Sequence, residues 1–386
     1  TDVTEQLAPG LADAGLVCAA LWSDYDNDGW LDLLVTGEWM PVMVFKNRMG
    51  RGVKGTEQPS DGREPAFALS TQPLAPAGWW NSLTAGDFDN DGDMDYVAGN
   101  LGLNTRYRAS EKEPVSVYAA DYDQNGTLDP IITWFNQGKE YSAHPRETLT
   151  DQMPAFRKQF TSYAAYGKKP FSDMLPDEQR SRALVRRATY FASVYLENKG
   201  AGTFRVRPLP TEAQLSPVFG MVPADVNEDG NLDLLLIGND YAADVLSGWN
   251  DAGIGLYLQG DGRGAFRPAP VGRSGFVVDR DAKALAELTR PSGQPLFLAT
   301  QNQDSLRVFA PSRPLQSKTI RLMPTDQYVL ATLPNGKKQK IEGYWGASYL
   351  AQSSRTVRLP VGTLVAEVVG LKERRTVRLM EEVAHK

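Results

Sequence analysis

Short apolar runs, each entered through a cluster of Asp, Asn and Gly, recur along this chain. Residues 31–37 (LDLLVTG), 94–100 (MDYVAGN), 128–134 (LDPIITW) and 232–238 (LDLLLIG) are the clearest. Each is too short for a helix and rich in aliphatic and β-branched residues. They predict strands buried on both faces, as in sheets sandwiched between neighbouring sheets. A second element follows: an aromatic strand, a Gly-rich turn, then Phe. It reads YLENKGAGTF over 195–204 and YLQGDGRGAF over 257–266, with a looser version over 44–67. These turns predict outer β-hairpins. Loop, strand and hairpin together make one blade-sized unit.

The pattern changes twice. Over about 142–188 it turns helical, in PAFRKQF and PDEQRSRALVRR, with Pro154 and Pro176 placed as in first helical turns. Residues 313–386 return to short alternating strands, such as DQYVLATL, SSRTVRLP and VAEVV, separated by turns such as Pro334-Asn335-Gly336. The expected architecture is all-β: a β-propeller over 1–312, interrupted by a helical insertion at about 142–188, then a small β module over 313–386.

The loops that enter the four runs share the pattern D-x-[DN]-x-[DN]-G-x-x-D: DYDNDGWLD (24–32), DFDNDGDMD (87–95), DYDQNGTLD (121–129) and DVNEDGNLD (225–233). Calcium takes about 6–8 oxygen ligands, and positions 1, 3 and 5 of such a loop can turn inward together. Gly at position 6 permits the sharp bend. A carbonyl at position 7 and Asp at position 9 complete the shell. The candidate ligands are therefore Asp24, Asp26, Asp28, the Trp30 carbonyl and Asp32 in the first loop. The second supplies Asp87, Asp89, Asp91, the Asp93 carbonyl and Asp95. The third supplies Asp121, Asp123, Asn125, the Thr127 carbonyl and Asp129. The fourth supplies Asp225, Asn227, Asp229, the Asn231 carbonyl and Asp233. Asp, Asn and Gly favour turns on their own account, but carboxylates held this close repel each other without a cation. About four structural calcium sites are expected. An EF-hand is excluded, because position 12 is Val35, Ala98, Ile132 or Leu236 rather than Glu, and strands replace the flanking helices.

Composition narrows the function. The net charge of −6 disfavours nucleic acid as a partner. Cys18 is the single cysteine, so no intrachain disulfide forms. It lies in the apolar stretch LVCAALW and reads as core rather than nucleophile. His144 and His385 are the two histidines, and neither belongs to a visible catalytic set. No zinc helix, P-loop or dinucleotide fingerprint occurs, and no apolar run approaches the ~20 residues of a membrane-spanning helix. The insertion carries nine Lys/Arg against five Asp/Glu between Arg146 and Arg187. It reads either as a docking surface or as a solvated helical face. Trp39, Trp79, Trp80, Asn81 and Trp134, and Tyr344, Trp345, Tyr349 and Gln352 in the tail, read as blade packing or as binding platforms. The start, Thr1-Asp2-Val3-Thr4, reads as a strand already under way, which suggests a processed form or a fragment lacking N-terminal sequence.

The four loops and two hairpins resemble the FG-GAP/VCBS repeat family of integrin-α-like propellers. That resemblance covers roughly residues 1–312. It implies calcium within the blades and about seven blades, of which five units are recognisable here. The fifth, over 275–309, reads as a blade that has lost its metal, with Asp279 and Asp281 remaining. Residues 333–360 resemble the C-terminal part of ASPIC/UnbV-type exported proteins of Bacteroidetes-like bacteria. This second resemblance implies an exported protein associated with SusC/SusD-like uptake complexes. Extracellular calcium would fill even weak loops of this kind, so an outer-membrane-surface or periplasmic location is expected, with lipid anchoring through the missing N-terminus left open. The expected function is a non-enzymatic, calcium-stabilised binding or scaffold module with a protein partner, glycan being a further candidate. A glycan hydrolase or lyase and an integrin-like adhesion module are the alternatives.

Overall fold

The computed structural model describes residues 1–48, 66–70, 72–243, 248–371 and 373–379. The chain does not open on a strand. Thr4–Leu7 form one helical turn and Pro9–Leu11 a 3-10 turn. The first sheet contains β1 (Leu16–Ser23), the long β2 (Asp32–Asn47), β3 (Phe67–Leu69) and β4 (Ala75–Trp79), all antiparallel. The turn of the looser hairpin over 44–67 lies outside the described residues, as does His385.

The second sheet is discontinuous in sequence. It starts with β5 (Ser82–Gly86) and β6 (Asp95–Gly99). A complete sheet then intervenes: β7 (Val115–Ala120), β8 (Asp129–Asn136), β9 (Lys139–Ser142) and β10 (Leu184–Ala188), in the order β10-β7-β8-β9. Only afterwards do β11 (Val194–Asn198) and β12 (Phe204–Pro208) complete the second sheet, with β11 on β6. The expected helical insertion is present, as five short helices between Arg146 and Ser181. It joins β9 to β10 of this nested sheet. Residues 184–188, read as the end of a helix, are strand β10, which pairs antiparallel with β7 from Leu184 opposite Ala119 to Ala188 opposite Val115. The helices bury Leu149, Phe160 and Phe171 against Ile131 of β8.

The third sheet is β13 (Gly220–Ala224), β14 (Asp233–Ile237), β15 (Leu256–Gly260) and β16 (Phe266–Pro268). The fourth is β17 (Ala282–Thr289), β18 (Pro295–Gln301) and β19 (Arg307–Phe309). The first strands stand side by side, β1 beside β5, β5 beside β13 and β13 beside β17. The arrangement is all-β and propeller-like. β6 and β14 are buried along their whole length, as their sequences predict. β8 instead alternates buried and exposed positions, because its sheet is nested at the side of the blades. Among the described residues up to Phe309 there are five sheets. The fifth unit also needs correcting. Asp279 and Asp281 precede β17, whereas the other metal loops follow the first strand of their sheet. The corresponding connection here is the acid-free turn between Thr289 and Pro295.

From residue 319 onward, β20 (Thr319–Arg321) pairs β23 (Thr356–Arg358). β21 (Asp326–Thr332), β22 (Lys338–Glu342), β24 (Val365–Gly370) and β25 (Arg374–Arg378) form a sheet of order β22-β21-β24-β25. Between β22 and β23 the chain runs as a strap along the first strands of the blades. The Trp345 carbonyl accepts from Trp22 N–H of β1 (3.1 Å), and Ser348 N–H donates to the Leu83 carbonyl of β5 (2.8 Å). Tyr349 N–H donates to the Phe219 carbonyl beside β13 (3.1 Å), and Ser354 N–H to the Glu287 carbonyl of β17 (2.8 Å). Four sheet edges that would otherwise expose backbone groups are thereby satisfied. Gly346 is required where the strap passes β1. Its φ is +80°, and a Cβ would lie 2.1 Å from the Ala20 carbonyl oxygen.

Ser348 is the strap's tightest anchor. Its buried hydroxyl accepts from Met221 N–H (2.8 Å) and donates to the Phe219 carbonyl (3.0 Å). Ser348→Ala should therefore cost about 1–3 kcal/mol, because it strands a buried N–H. Denaturant unfolding of the variant against the parent measures this, and a difference near zero would show that the strap is not a structural tie.

Candidate metal centres

All four loops occupy the same place in their sheets. Each joins the first strand to the second, and its position-9 Asp (Asp32, Asp95, Asp129, Asp233) is the first residue of the second strand. The loops fold alike because their own polar groups close them. The N–H of the position-6 Gly donates to the position-1 carboxylate in every case: Gly29 to Asp24 (3.1 Å), Gly92 to Asp87 (3.2 Å), Gly126 to Asp121 (2.8 Å) and Gly230 to Asp225 (3.0 Å). The position-7 N–H donates to the position-5 side chain: Trp30 to Asp28, Asp93 to Asp91, Thr127 to Asn125 and Asn231 to Asp229. These bonds hold one face of each acidic group and leave the others facing inward.

Asp24, Asp26 and Asp32 bring three carboxylate oxygens within 4.8 Å of one another, as do Asp87, Asp89 and Asp95, and Asp121, Asp123 and Asp129. The fourth loop has no such trio of carboxylates, since Asn227 stands at position 3. The inward oxygens Asp24 Oδ1, Asp26 Oδ1, Asp32 Oδ2 and Asp87 Oδ1 are buried without a hydrogen-bond partner. Buried acceptors in that state are costly, and a hard cation bound by oxygen fits them. Without such an ion, burial and then neighbouring carboxylates push Asp32 up to about 8 and Asp87 to about 7. Burial pushes Asp95 to about 7 and Asp233 to about 6.

The position-9 carboxylate also reaches past its own loop, to the far end of β2 in the first sheet and to the third strand in the second and third sheets. Asn47 N–H donates to Asp32 Oδ1 (2.7 Å), Asn198 N–H to Asp95 Oδ1 (2.8 Å) and Gly260 N–H to Asp233 Oδ1 (3.0 Å). In two sheets a tyrosine adds a second tie: Tyr195 Oη donates to Asp95 Oδ2 and Tyr257 Oη to Asp233 Oδ2, both at 2.7 Å. These tyrosines open the YLEN and YLQG segments, so the recurring hairpin carried the signal, although its spacing alone does not point to the loop. In the nested sheet Gln152, from the helical insertion, donates to Asp129 instead (3.1 Å).

The loops also meet one another. Asn27 Nδ2 donates to Asp93 Oδ1, and Asn90 Nδ2 to Asn231 Oδ1. The first loop has cationic neighbours as well. Lys46 pairs with Asp26 and Asp28. Lys340, from β22, pairs with Asp24 Oδ2 (3.1 Å) and Glu342 (3.2 Å). Burial pulls the Lys340 ammonium down, but Glu342 and Asp24 outweigh it and leave its pKa raised. The inward oxygens of Asp24 and Asp26 are not those the lysines hold, so the two ammoniums steady the carboxylates from outside.

The remaining candidates take structural places. His144 Nε2 accepts from Ile132 N–H (3.0 Å). Cys18 is half-buried on β1 rather than in the core. Trp80 is fully buried, and Trp39 and Trp79 pack edge to face at 4.9 Å. Trp345 lies under Arg355 (4.3 Å) and Tyr349 against Phe219. Tyr344 Oη donates to the Ala85 carbonyl (3.1 Å).

A family model described as FG-GAP-like repeat matches residues 24–98, which span the first two loops and the strands after them. No curated protein matches the chain. Among solved structures, the chain is similar to a lectin of Agrocybe aegerita described as recognising non-reducing terminal N-acetylglucosamine. The two share 14% identity over 86% of this chain and 71% of that one, with a TM-score of 0.22, too low to carry an argument about fold or ligand.

Two outcomes follow from this geometry. Tyr195→Phe should cost about 1.5–3 kcal/mol, the worth of a hydrogen bond to a charged group, as read by denaturant unfolding. The pH effect has a definite sign. Asp32 is raised from 3.8 to about 8, so its contribution to metal-free stability is complete below about pH 4 and is lost as pH rises through about 8. Added calcium should therefore raise the melting temperature more at pH 8 than at pH 5; equal shifts would show that these carboxylates do not meet the ion.

Proposed function

We propose that this chain is a non-enzymatic binding or scaffold module whose blades are stabilised by calcium, displayed at a bacterial cell surface and serving an outer-membrane uptake complex of the SusC/SusD kind. The observation that carries the reading is the set of buried, unpartnered carboxylate oxygens converging in the first two of four loops that recur at one position of their sheets. Asp24, Asp26, Asp28 and Asp32, Asp87, Asp89, Asp91 and Asp95, Asp121, Asp123, Asn125 and Asp129, and Asp225, Asn227, Asp229 and Asp233 would hold the ions, with carbonyls of Trp30, Asp93, Thr127 and Asn231. When bound, calcium would supply charge neutralisation and a rigid link between first and second strands. Extracellular calcium would fill even weak sites of this type, which favours an exported location. No helix among the described residues is long and apolar enough to cross a membrane.

The FG-GAP-like match supports a binding propeller. The uptake-complex assignment rests on the resemblance of the tail alone.

Elemental analysis should find several calcium ions per chain. A chelator should remove them and lower the melting temperature, and calcium should restore it. The tagged chain should co-purify an outer-membrane transporter from solubilised membranes in calcium and lose it in chelator. A chain without calcium, or one that turns over a glycan, would sink the reading.

A further inference from the structure

The segment from residue 313 to 342 grips three of the four loops at the same place. Position 4 of every loop is a non-glycine residue in the left-handed region: Asn27 (φ 56°), Asn90 (59°), Gln124 (61°) and Glu228 (62°). Residues with a Cβ adopt that conformation reluctantly. The flanking positions 3 and 5 are those whose side chains would turn in on a cation, so the bend and the loaded loop belong to one conformation.

The partners of position 4 come from the C-terminal part of the chain. Lys340 Nζ donates to Asn27 Oδ1 (2.8 Å). Gln339 Nε2 donates to Asn90 Oδ1 (2.9 Å), and Lys337 Nζ to the Asn90 carbonyl. Ser317 N–H donates to Glu228 Oε1 (2.9 Å), as does Gln316 N–H, and Arg313 donates to the Asn227 carbonyl (3.3 Å). Among the described residues, Gln124 of the nested sheet makes no hydrogen bond to this segment. Between the grip and the blades lies a cavity of about 160 Å³, lined by Asp87, Asn231 and Glu287 on one side and Lys340, Glu342 and Arg358 on the other.

We propose that residues 313–342 are a calcium-set clasp. Ions in the first, second and fourth loops hold position 4 in the shape that Lys340, Gln339 and Ser317 bind, and their loss releases the clasp and opens the cavity. The third loop loads without acting on it. This inference rests on the calcium reading above. The two are separated by counting bound ions independently of the clasp.

The test uses the full chain. Amine labelling compares Lys340, buried in the clasp, with Lys338, exposed on the same strand. Hydrogen exchange follows Gln316 and Ser317, and elemental analysis counts calcium. Chelation should raise the Lys340-to-Lys338 labelling ratio about tenfold or more, as for release of a local unit, while the amides of β21 keep their protection. Asp225→Asn should lose one ion and speed exchange at 316–317. Asp121→Asn, at the same position of the third loop, should lose one ion and change neither readout. If calcium leaves and the clasp readouts stay constant, or if Asp121→Asn loosens it as much as Asp225→Asn, the clasp is overturned and the calcium reading stands. If the chain holds no calcium, both fall.

Discussion

The position-9 aspartate is the constraint on which each loop-bearing sheet turns. In the second sheet Asp95 begins the second strand, accepts from Phe88 N–H of the loop after the first, and accepts from Asn198 N–H and the Tyr195 hydroxyl of the third. One buried carboxylate thus ties three strands, and it can be buried only because donors surround it and a cation fits beside it. Where the third strand comes from far along the chain, as β11 does, this tie fixes a long-range register that local propensity cannot supply.

The same logic explains how a whole sheet can be nested within a blade. β6 and β11 are separated by about a hundred residues of sequence, yet Asp95 and Asn198 hold them as a continuous ladder. The nested sheet keeps its own loop and substitutes Gln152 of the helical insertion for the missing third-strand donor. It is therefore a blade-like unit moved to the periphery, with one face covered by helices instead of by neighbouring blades.

The C-terminal segments act on the blades from two directions. The strap of residues 343–355 satisfies the first strands along their edges, and β22 with the segment before it rests on the loops at their ends. The ion-pair set of Lys340, Asp24 and Glu342 joins the two regions. Glu342 also accepts from Ser23 Oγ at 2.6 Å, and that hydroxyl in turn meets Tyr96 Oη at 2.8 Å. Loop chemistry and C-terminal packing are thus one buried polar network, in which a change at one member leaves the others unpaired.

The sequence by itself determined the unit: four loops, the strands after them, two hairpins and the all-β class. All of these depend on neighbours within about ten residues, so the period and the spacing carry them. Candidate ligands were legible for the same reason, because positions 1 to 9 of a loop fold on one another. Only the tertiary structure decided that the third loop belongs to a nested sheet, that residues 184–188 are a strand, and that Asp281 stands at the wrong end of its sheet to serve a metal loop. It also decided the roles of Tyr195, Asn27, Ser348 and Lys340. Each of these acts on residues between about 60 and 320 positions away, and such pairings are set by which edges and carboxylates remain unsatisfied once the local units have formed, a property no local pattern records.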